Sequence, residues 1–231
     1  MNKYDIHTHI LPNIDDGAKN IDESLALLKK LSNQGVTHIA LTPHYYSNKE
    51  SIEDFLESRR KSYCEFIKSA PKNIKYSLGA EVYVSEYIFN NKSLEDVCYS
   101  NTDKILLEFP YSSSFTGKSR DMLFKIMSNY SVKPILAHIE RYDALLNHID
   151  LVEELVDNGC EMQINLSSLT TFSVRRKLLK MFKNGFIGHV GTDTHSFKKG
   201  SDFNTGYEIL QKKFENIDEV LQYNSKSIFN K

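Results

Sequence analysis

The chain has 231 residues, 40% of them apolar, enough for one large domain or two small ones with a sizeable core. A net charge of -1 and a pI near 6.7 supply no basic field for nucleic acid. No long apolar run marks a membrane span, and Asp5, His7 and His9 interrupt any signal-peptide pattern at the start.

In chain order, the patterns predict a strand over 3–9, a helix over 22–35 stopped by Gly35, a strand over 37–44 and a helix over 51–69. Strands over 75–83 and 103–110 follow, then a helix over 118–130 and a strand over 133–140. A helix over 150–159 ends at Gly159, and a strand covers 160–168. A helix over 173–184 ends before Gly185, and a strand covers 186–195. The stretch from 203 to 224 is helical and can divide in two. The strands are short runs rich in Ile, Leu and Val, the composition of strands buried on both faces. Strands alternating with helices imply a parallel sheet with right-handed crossovers. The expected fold is a single α/β domain over 1–231, a closed barrel of seven βα units. An open doubly wound sheet is the alternative, but no GxGxxG follows the first strand.

Metal-capable side chains recur at the C-terminal ends of these strands. The first ends in His7 and His9, with Asp15, Asp16 and Gly17 just beyond. The second ends in His44, the third near Glu81 and the fourth near Glu108. The fifth ends in His138 and Glu140, followed by Arg141, and the seventh in Asp193 and His195. Parallel barrels build their sites at this end. Residues two apart on a strand face the same way, so His7 and His9 project together, as do Asp193 and His195. One His-x-His pair is a weak signal, but the same end of successive strands is not chosen by chance. Buried like charges cost free energy unless cations sit among them.

His7, His9, Asp16, His44, Glu81, Glu108, His138, Asp193 and His195 make nine nitrogen and oxygen donors. A structural zinc needs four, usually rich in cysteine. Nine donors without cysteine suit two or three catalytic ions, with Mn, Fe or Zn compatible. Such ions clamp a phosphoryl group and activate water at neutral pH. His38, at the wrong end of its strand, His148, in a polar helical stretch, and His189, inside its strand, are expected to be structural. Tyr45, Tyr46, Phe109 and Tyr111 follow strand ends and can flank an aromatic substrate or pack the rim. Cys64, Cys98 and Cys160 form no disulfide framework, which points to a reducing cytoplasm. Six residues after them stand Ala70, Lys104 and Leu166, so none has the arginine that a cysteine-dependent tyrosine phosphatase needs.

The strings HTHILPNIDDGAKN, TPHY, GAEVY, LLEFP, AHIERYDAL and TDTHS, in this order, resemble the motifs of the PHP (polymerase and histidinol phosphatase) superfamily. Within it, the resemblance is to bacterial manganese-dependent protein-tyrosine phosphatases of capsule and exopolysaccharide loci, the CpsB/CapC/YwqE type. It spans residue 4 to about 225. The resemblance implies a distorted (β/α)7 barrel with three divalent ions, most readily Mn2+, at its mouth. It implies that His7, His9, Glu81 and Asp193 hold the first ion. Glu81 bridges to a second completed by Glu108 and His138, and Asp16, His44 and His195 hold the third. Asp16 is preferred to Asp15 because family members place the ligand directly before the glycine.

Arg141 matches the arginine that binds substrate phosphate. The resemblance further implies that a metal-activated hydroxide hydrolyses phosphotyrosine on a protein, the implied partner being an autophosphorylating bacterial tyrosine kinase. One departure stands out: relatives carry an arginine after the last histidine, where this chain reads HSFKKGSDF. Lys198 or Lys199 can supply the charge there, though not a bidentate fork. The alternatives are a small-molecule phosphoesterase, such as a histidinol-phosphate phosphatase, and a non-catalytic or proofreading-type module acting on nucleic acid. The full donor set and neutral charge argue against the last.

Overall fold

Polar caps and apolar stripes set the helices. In α1 (Ile21–Asn33) the Asn20 side chain accepts from the Glu23 amide, and Leu27, Leu28 and Leu31 are buried. Gly35, at φ 85°, turns the chain where an L side chain would be strained. In α2 (Ile52–Ser69) Ser51 is the cap, and Phe55 and Phe66 face the core. Then come α3 (Gly117–Tyr130), α4 (Asp143–Asn147), α5 (Ile149–Asp157), α6 (Phe172–Lys183), α7 (Asn204–Lys213) and α8 (Ile217–Ser225). The computed structural model describes residues 2–111, 115 and 117–229.

The strands are β1 (Lys3–Asp5), β2 (Val36–Leu41), β3 (His44–Tyr46), β4 (Lys75–Leu78) and β5 (Glu81–Tyr83). After them come β6 (Lys104–Glu108), β7 (Lys133–Leu136), β8 (Glu161–Asn165) and β9 (Ile187–Gly191), all paired in parallel. Nine segments make seven staves, because two expected strands are interrupted. The 37–44 run breaks at Thr42 and Pro43, and proline has no N–H for the ladder. The 75–83 run breaks at Gly79 and Ala80. Neither break opens the wall. The Thr42 amide donates to the Thr8 carbonyl, Gly79 to Leu41 and Glu81 to Pro43, each at 3.0 Å. These bonds join the β1-β2-β4 ladder to the β3-β5-β6-β7-β8-β9 ladder.

The seam between the first and last staves is closed too. Ile6 donates to the Val190 carbonyl at 3.3 Å, Asp193 to His7 at 2.8 Å, and His9 to Thr194 at 2.9 Å. Asp5, wholly buried, accepts from the Thr192 amide at 2.9 Å and its hydroxyl at 2.6 Å. Burial pushes the Asp5 carboxyl up to about 6, despite the Thr192 bonds that favour its charge. The ring is thus the expected seven-stave (β/α) barrel.

Alternation sorts the strand residues. Ile105 and Leu107 join the layer between strands and helices, while Leu106 fills the interior with Tyr4, Ile6, Ala40 and Ile135. The C-terminal turn Lys226–Phe229 plugs the base, where the Phe229 ring meets His38 at 5.2 Å. With its base closed by apolar packing, the barrel offers its polar interior at the other end.

Candidate metal centre

Parallel register brings the donors side by side. His44 pairs with Glu81 between β3 and β5, and Tyr83 with Glu108 between β5 and β6. Glu81 is the hub. Its Oε2 lies 3.2 Å from His7 Nε2, 3.1 Å from His9 Nε2 and 3.0 Å from His44 Nδ1. Its Oε1 lies 2.8 Å from His138 Nε2, which is 3.6 Å from Glu108 Oε1. Asp193 Oδ1 approaches His7 Nε2, His9 Nε2 and His195 Nδ1 at 3.6, 3.4 and 3.3 Å. Asp16 Oδ1 faces His195 Nε2 at 3.3 Å and His44 Nε2 at 3.5 Å. All nine donors named from the sequence therefore meet at one mouth.

They fall into three overlapping groups able to hold an ion: His7, His9, Glu81 and Asp193; His9, Asp16, His44 and His195; and His44, Glu81 and Glu108. His138 adjoins the last of these through Glu81 and Glu108. The fit to cations rests on what the protein leaves unpaired. Among the described residues, Glu81 Oε2, His44 Nδ1 and His195 Nε2 are buried without any hydrogen-bond partner. Such atoms cost free energy unless something satisfies them. Imidazole nitrogens and carboxylate oxygens converging at this spacing suit Mn, Fe or Zn.

Charge at the mouth is displaced accordingly. Burial opposes protonation of His7 and His9, yet the Glu81 and Asp193 carboxylates lift His7, and Asp15 above all lifts His9, well above the ordinary value for His9. Burial likewise opposes ionisation of Glu81 and Asp193, but the neighbouring imidazoles hold both well below the usual carboxylate range. His195 is pushed down to about 4 by burial and by the charge on His9.

Neighbouring aspartates do different work. Asp15 is largely buried and takes His9 Nδ1 at 2.7 Å, the Gly17 amide at 2.9 Å and the His44 amide at 3.1 Å. It aims His9 by its far nitrogen, in the way carboxylates orient metal-bound imidazoles. A Cβ on Gly17 would come within 1.9 Å of the His9 carbonyl, so only glycine allows this turn. His138 (φ 33°) and Asp193 (φ 55°) sit in the left-handed region, a strained backbone of the kind found where side chains must be aimed.

Sequence reasoning missed the support from β8. Gln163 Oε1 accepts from the His138 amide at 2.7 Å and meets His7 Nδ1 at 3.3 Å. Its amide donates to Asn165 Oδ1 at 3.0 Å, and Asn165 donates to Asp193 Oδ2 at 2.9 Å. The available signal was two amides spaced two apart, alternating with Met162 and Ile164. Glu140, buried, accepts from the Asn165 amide at 3.0 Å and the Ser168 hydroxyl at 2.8 Å, anchoring the turn after β8. Burial raises its carboxyl above the ordinary value.

Arg141 stands at the rim. Its guanidinium donates to Asp193 Oδ2 at 2.5 Å and to the Tyr111 hydroxyl at 2.9 Å, and that hydroxyl donates to Glu108 Oε1 at 2.5 Å. Tyr111 thus ties the arginine to the donor cluster. Tyr46 lies 5.2 Å from the His44 ring. Tyr45 and Phe109 do not reach the mouth: they are buried against Phe55 and Phe115. Lys198 and Lys199 are exposed on the loop after His195, and among the described residues their side chains make no bond to the cluster. The Lys199 carbonyl accepts from the His195 amide at 3.1 Å. His38 stacks on Tyr4 at 4.2 Å, His148 is exposed, and His189 is buried at the base.

The family profile described as "Capsular polysaccharide synthesis, CpsB/CapC" matches residues 3–230. Tyrosine-protein phosphatase CpsB of Streptococcus pneumoniae is 31% identical over 230 residues, covering 91% of this chain and 90% of that protein. Tyrosine-protein phosphatase YwqE of Bacillus subtilis is 27% identical over 222 residues, covering 91% and 84%. The solved structures of YwqE and CpsB, described as metal-dependent tyrosine phosphatases, include a chain that superposes with a TM-score of 0.76 at 24% identity, covering 97% of this chain and 92% of that one. The match runs nearly end to end, so this chain belongs to the CpsB/CapC family of capsular polysaccharide synthesis proteins.

Proposed function

We propose that the chain is a metal-dependent protein-tyrosine phosphatase acting in capsular or exopolysaccharide synthesis. The observation that carries this reading is Glu81, a buried carboxylate ringed by four imidazoles, with one oxygen unsatisfied. Three divalent ions fit, manganese first and iron or zinc as alternatives. His7, His9, Glu81 and Asp193 would hold one; Glu81, Glu108 and His138 a second; Asp16, His44 and His195 the third. Bound there, such ions supply Lewis acidity toward phosphoryl oxygens and a nucleophilic water at neutral pH.

The chain's own residues orient the substrate. Arg141 directs two N–H groups at the mouth and binds the phosphate, and its bond to Tyr111 fixes the fork. Lys198 and Lys199, exposed on the loop after His195, add positive charge. Tyr46 and Tyr111 form the walls for the phosphotyrosine ring. Arg141 and Asp16 keep 36% and 66% of their side chains exposed, so the mouth is open to a residue carried on a protein. The matched relatives are named as tyrosine-protein phosphatases, which supports this substrate over histidinol phosphate. The partner is an autophosphorylating tyrosine kinase. No described helix is long and apolar enough to cross a membrane. All three cysteines are free, which supports a cytoplasmic setting. Burial pushes the thiols of Cys98 and Cys160 up to about 12, which disfavours a thiolate nucleophile.

The test is inhibition. Chelation abolishes turnover of a phosphotyrosine analogue, and thiol alkylation leaves it nearly intact. The reverse pattern refutes the reading.

A further inference from the structure

Between α6 and α7 lies a groove of about 540 Å³. Leu179 and Ile209 form its floor, packed on the core, while Arg175, Arg176, Lys212 and Lys213 form its rim. Phe172 stands at one end, 71% exposed, with the Arg175 guanidinium 5.5 Å from its ring. Among the described residues, no carboxylate lines the groove. Among the described residues none of the four rim cations enters an ion pair, whereas Arg60, Lys118, Arg120 and Lys133 each sit against a carboxylate elsewhere on the surface.

Arg175 and Arg176 lie in the N-terminal half of α6, against the helix's own field, whereas Lys212 and Lys213 lie in the last turn of α7, where that field favours them. From Phe172 to Lys183, α6 carries Arg175, Arg176, Lys177, Lys180 and Lys183 and no acid. Its first turn has no acidic residue and the Thr171 side chain caps nothing, although a helix N-terminus favours negative charge. This happens in a chain whose net charge is -1. Repulsion among the rim cations is relieved by an anionic occupant, and the apolar floor takes an apolar side chain of that occupant. The groove also lies near the mouth along the chain: α6 follows the turn Leu166–Thr170, which begins directly after Asn165, a partner of Asp193.

We propose that this groove docks an acidic peptide segment of the phosphoprotein substrate, its carboxylates on the four rim cations and one apolar side chain on Leu179 and Ile209. The proposal rests on the phosphatase reading and adds the substrate's flanking chemistry to it. A groove between two helices, of a size that holds a few side chains, suits an extended chain better than the flat surface of a bilayer. Arginine forks and lysine ammonium groups both pair with carboxylates, and exposed pairs of this kind weaken with salt.

The experiment compares three substrates on the metal-loaded full chain: free phosphotyrosine, a phosphotyrosine peptide with a Glu-rich, Leu-containing flank, and the same peptide with Gln for Glu. The unaltered protein is expected to show a lower KM for the acidic peptide, rising with salt, with no such preference for the Gln peptide. Arg175→Glu with Arg176→Glu, and separately Lys212→Glu with Lys213→Glu, raise KM for the acidic peptide about tenfold. Both leave kcat on free phosphotyrosine unchanged. Equal KM values for the two peptides overturn the proposal. So does binding to phosphatidylglycerol vesicles that the acidic peptide cannot compete away, which assigns the groove to a membrane. If the unaltered protein fails to hydrolyse free phosphotyrosine, the phosphatase reading fails instead. Fluorescence anisotropy of the unphosphorylated acidic peptide then decides on the groove alone.

Discussion

At the base of the barrel, Lys104 donates to Glu161 at 2.7 Å, Glu161 meets His189 Nε2 at 2.5 Å, and His189 Nδ1 meets Ser225 at 3.0 Å. At the mouth, one oxygen of Glu81 lies among three imidazole nitrogens and bonds to none. Both clusters are built of histidine and carboxylate on parallel strands. The base balances one ammonium against one carboxylate and satisfies the ring between strand and helix. The mouth sets Asp16, Glu81, Glu108 and Asp193 against one guanidinium, Arg141. A buried polar network satisfied from within is structural. One left open on every side but the protein's own is a place for cations.

Exchanging residues between these two kinds of role sharpens the contrast. Glu81→Gln removes the shared carboxylate, and several kcal/mol of transition-state stabilisation go with it, so kcat/KM falls roughly 10³-fold. Metal titration of the variant separates this loss from an unstable fold: unchanged metal affinity would remove Glu81 from the centre. Arg141→Ala lowers kcat/KM about 10²-fold, in the range of a lost oxyanion donor; an unchanged value removes Arg141 from the site. Gln163→Ala and Asn165→Ala reduce metal affinity or activity about 10-fold to 100-fold, the usual effect of losing the groups that hold ligands in place. Titration of metal into the stripped variants measures this.

Tyr111→Phe has a smaller effect, about 1 kcal/mol or fivefold in KM, because it frees the Arg141 fork but leaves its charge. At the base, Glu161→Gln leaves kcat/KM unaltered and lowers stability above pH 4.5, but not in strong acid. Burial works against the Glu161 charge, but His189 and Lys104 hold the carboxyl down to about 2, below the ordinary 4.5. Its stabilisation is therefore complete above pH 4.5 and lost as pH falls toward 2. Urea midpoints across that window should converge for the variant and the unaltered protein; parallel curves would contradict the assignment.

The mouth was readable from sequence because every donor but Asp16, which lies in the turn before Gly17, stands at the end of a stave, where period and direction are set by the backbone. The barrel was readable because seven apolar runs alternate with helical ones. Pro43 and Gly79 hid their breaks, since apolar residues continue on both sides of each and only the hydrogen-bond pattern reveals the interruption. Asp15 and Asp16 are chemically identical neighbours, and the turn at Gly17 decides which one faces His9. Tyr45 and Tyr46 differ only in which face of β3 they take. Gln163 and Asn165 escaped notice because neutral amides look like weak strand residues until their partners are known.

The buried carboxylates and imidazoles that converge at the mouth call for metal cations among them. The decisive measurement is elemental analysis of the purified chain, paired with phosphotyrosine hydrolysis before and after chelation. Three divalent ions per chain are expected, with activity that disappears on their removal and returns on their replacement. Less than one ion per chain in a fully active protein would rule out a metal centre.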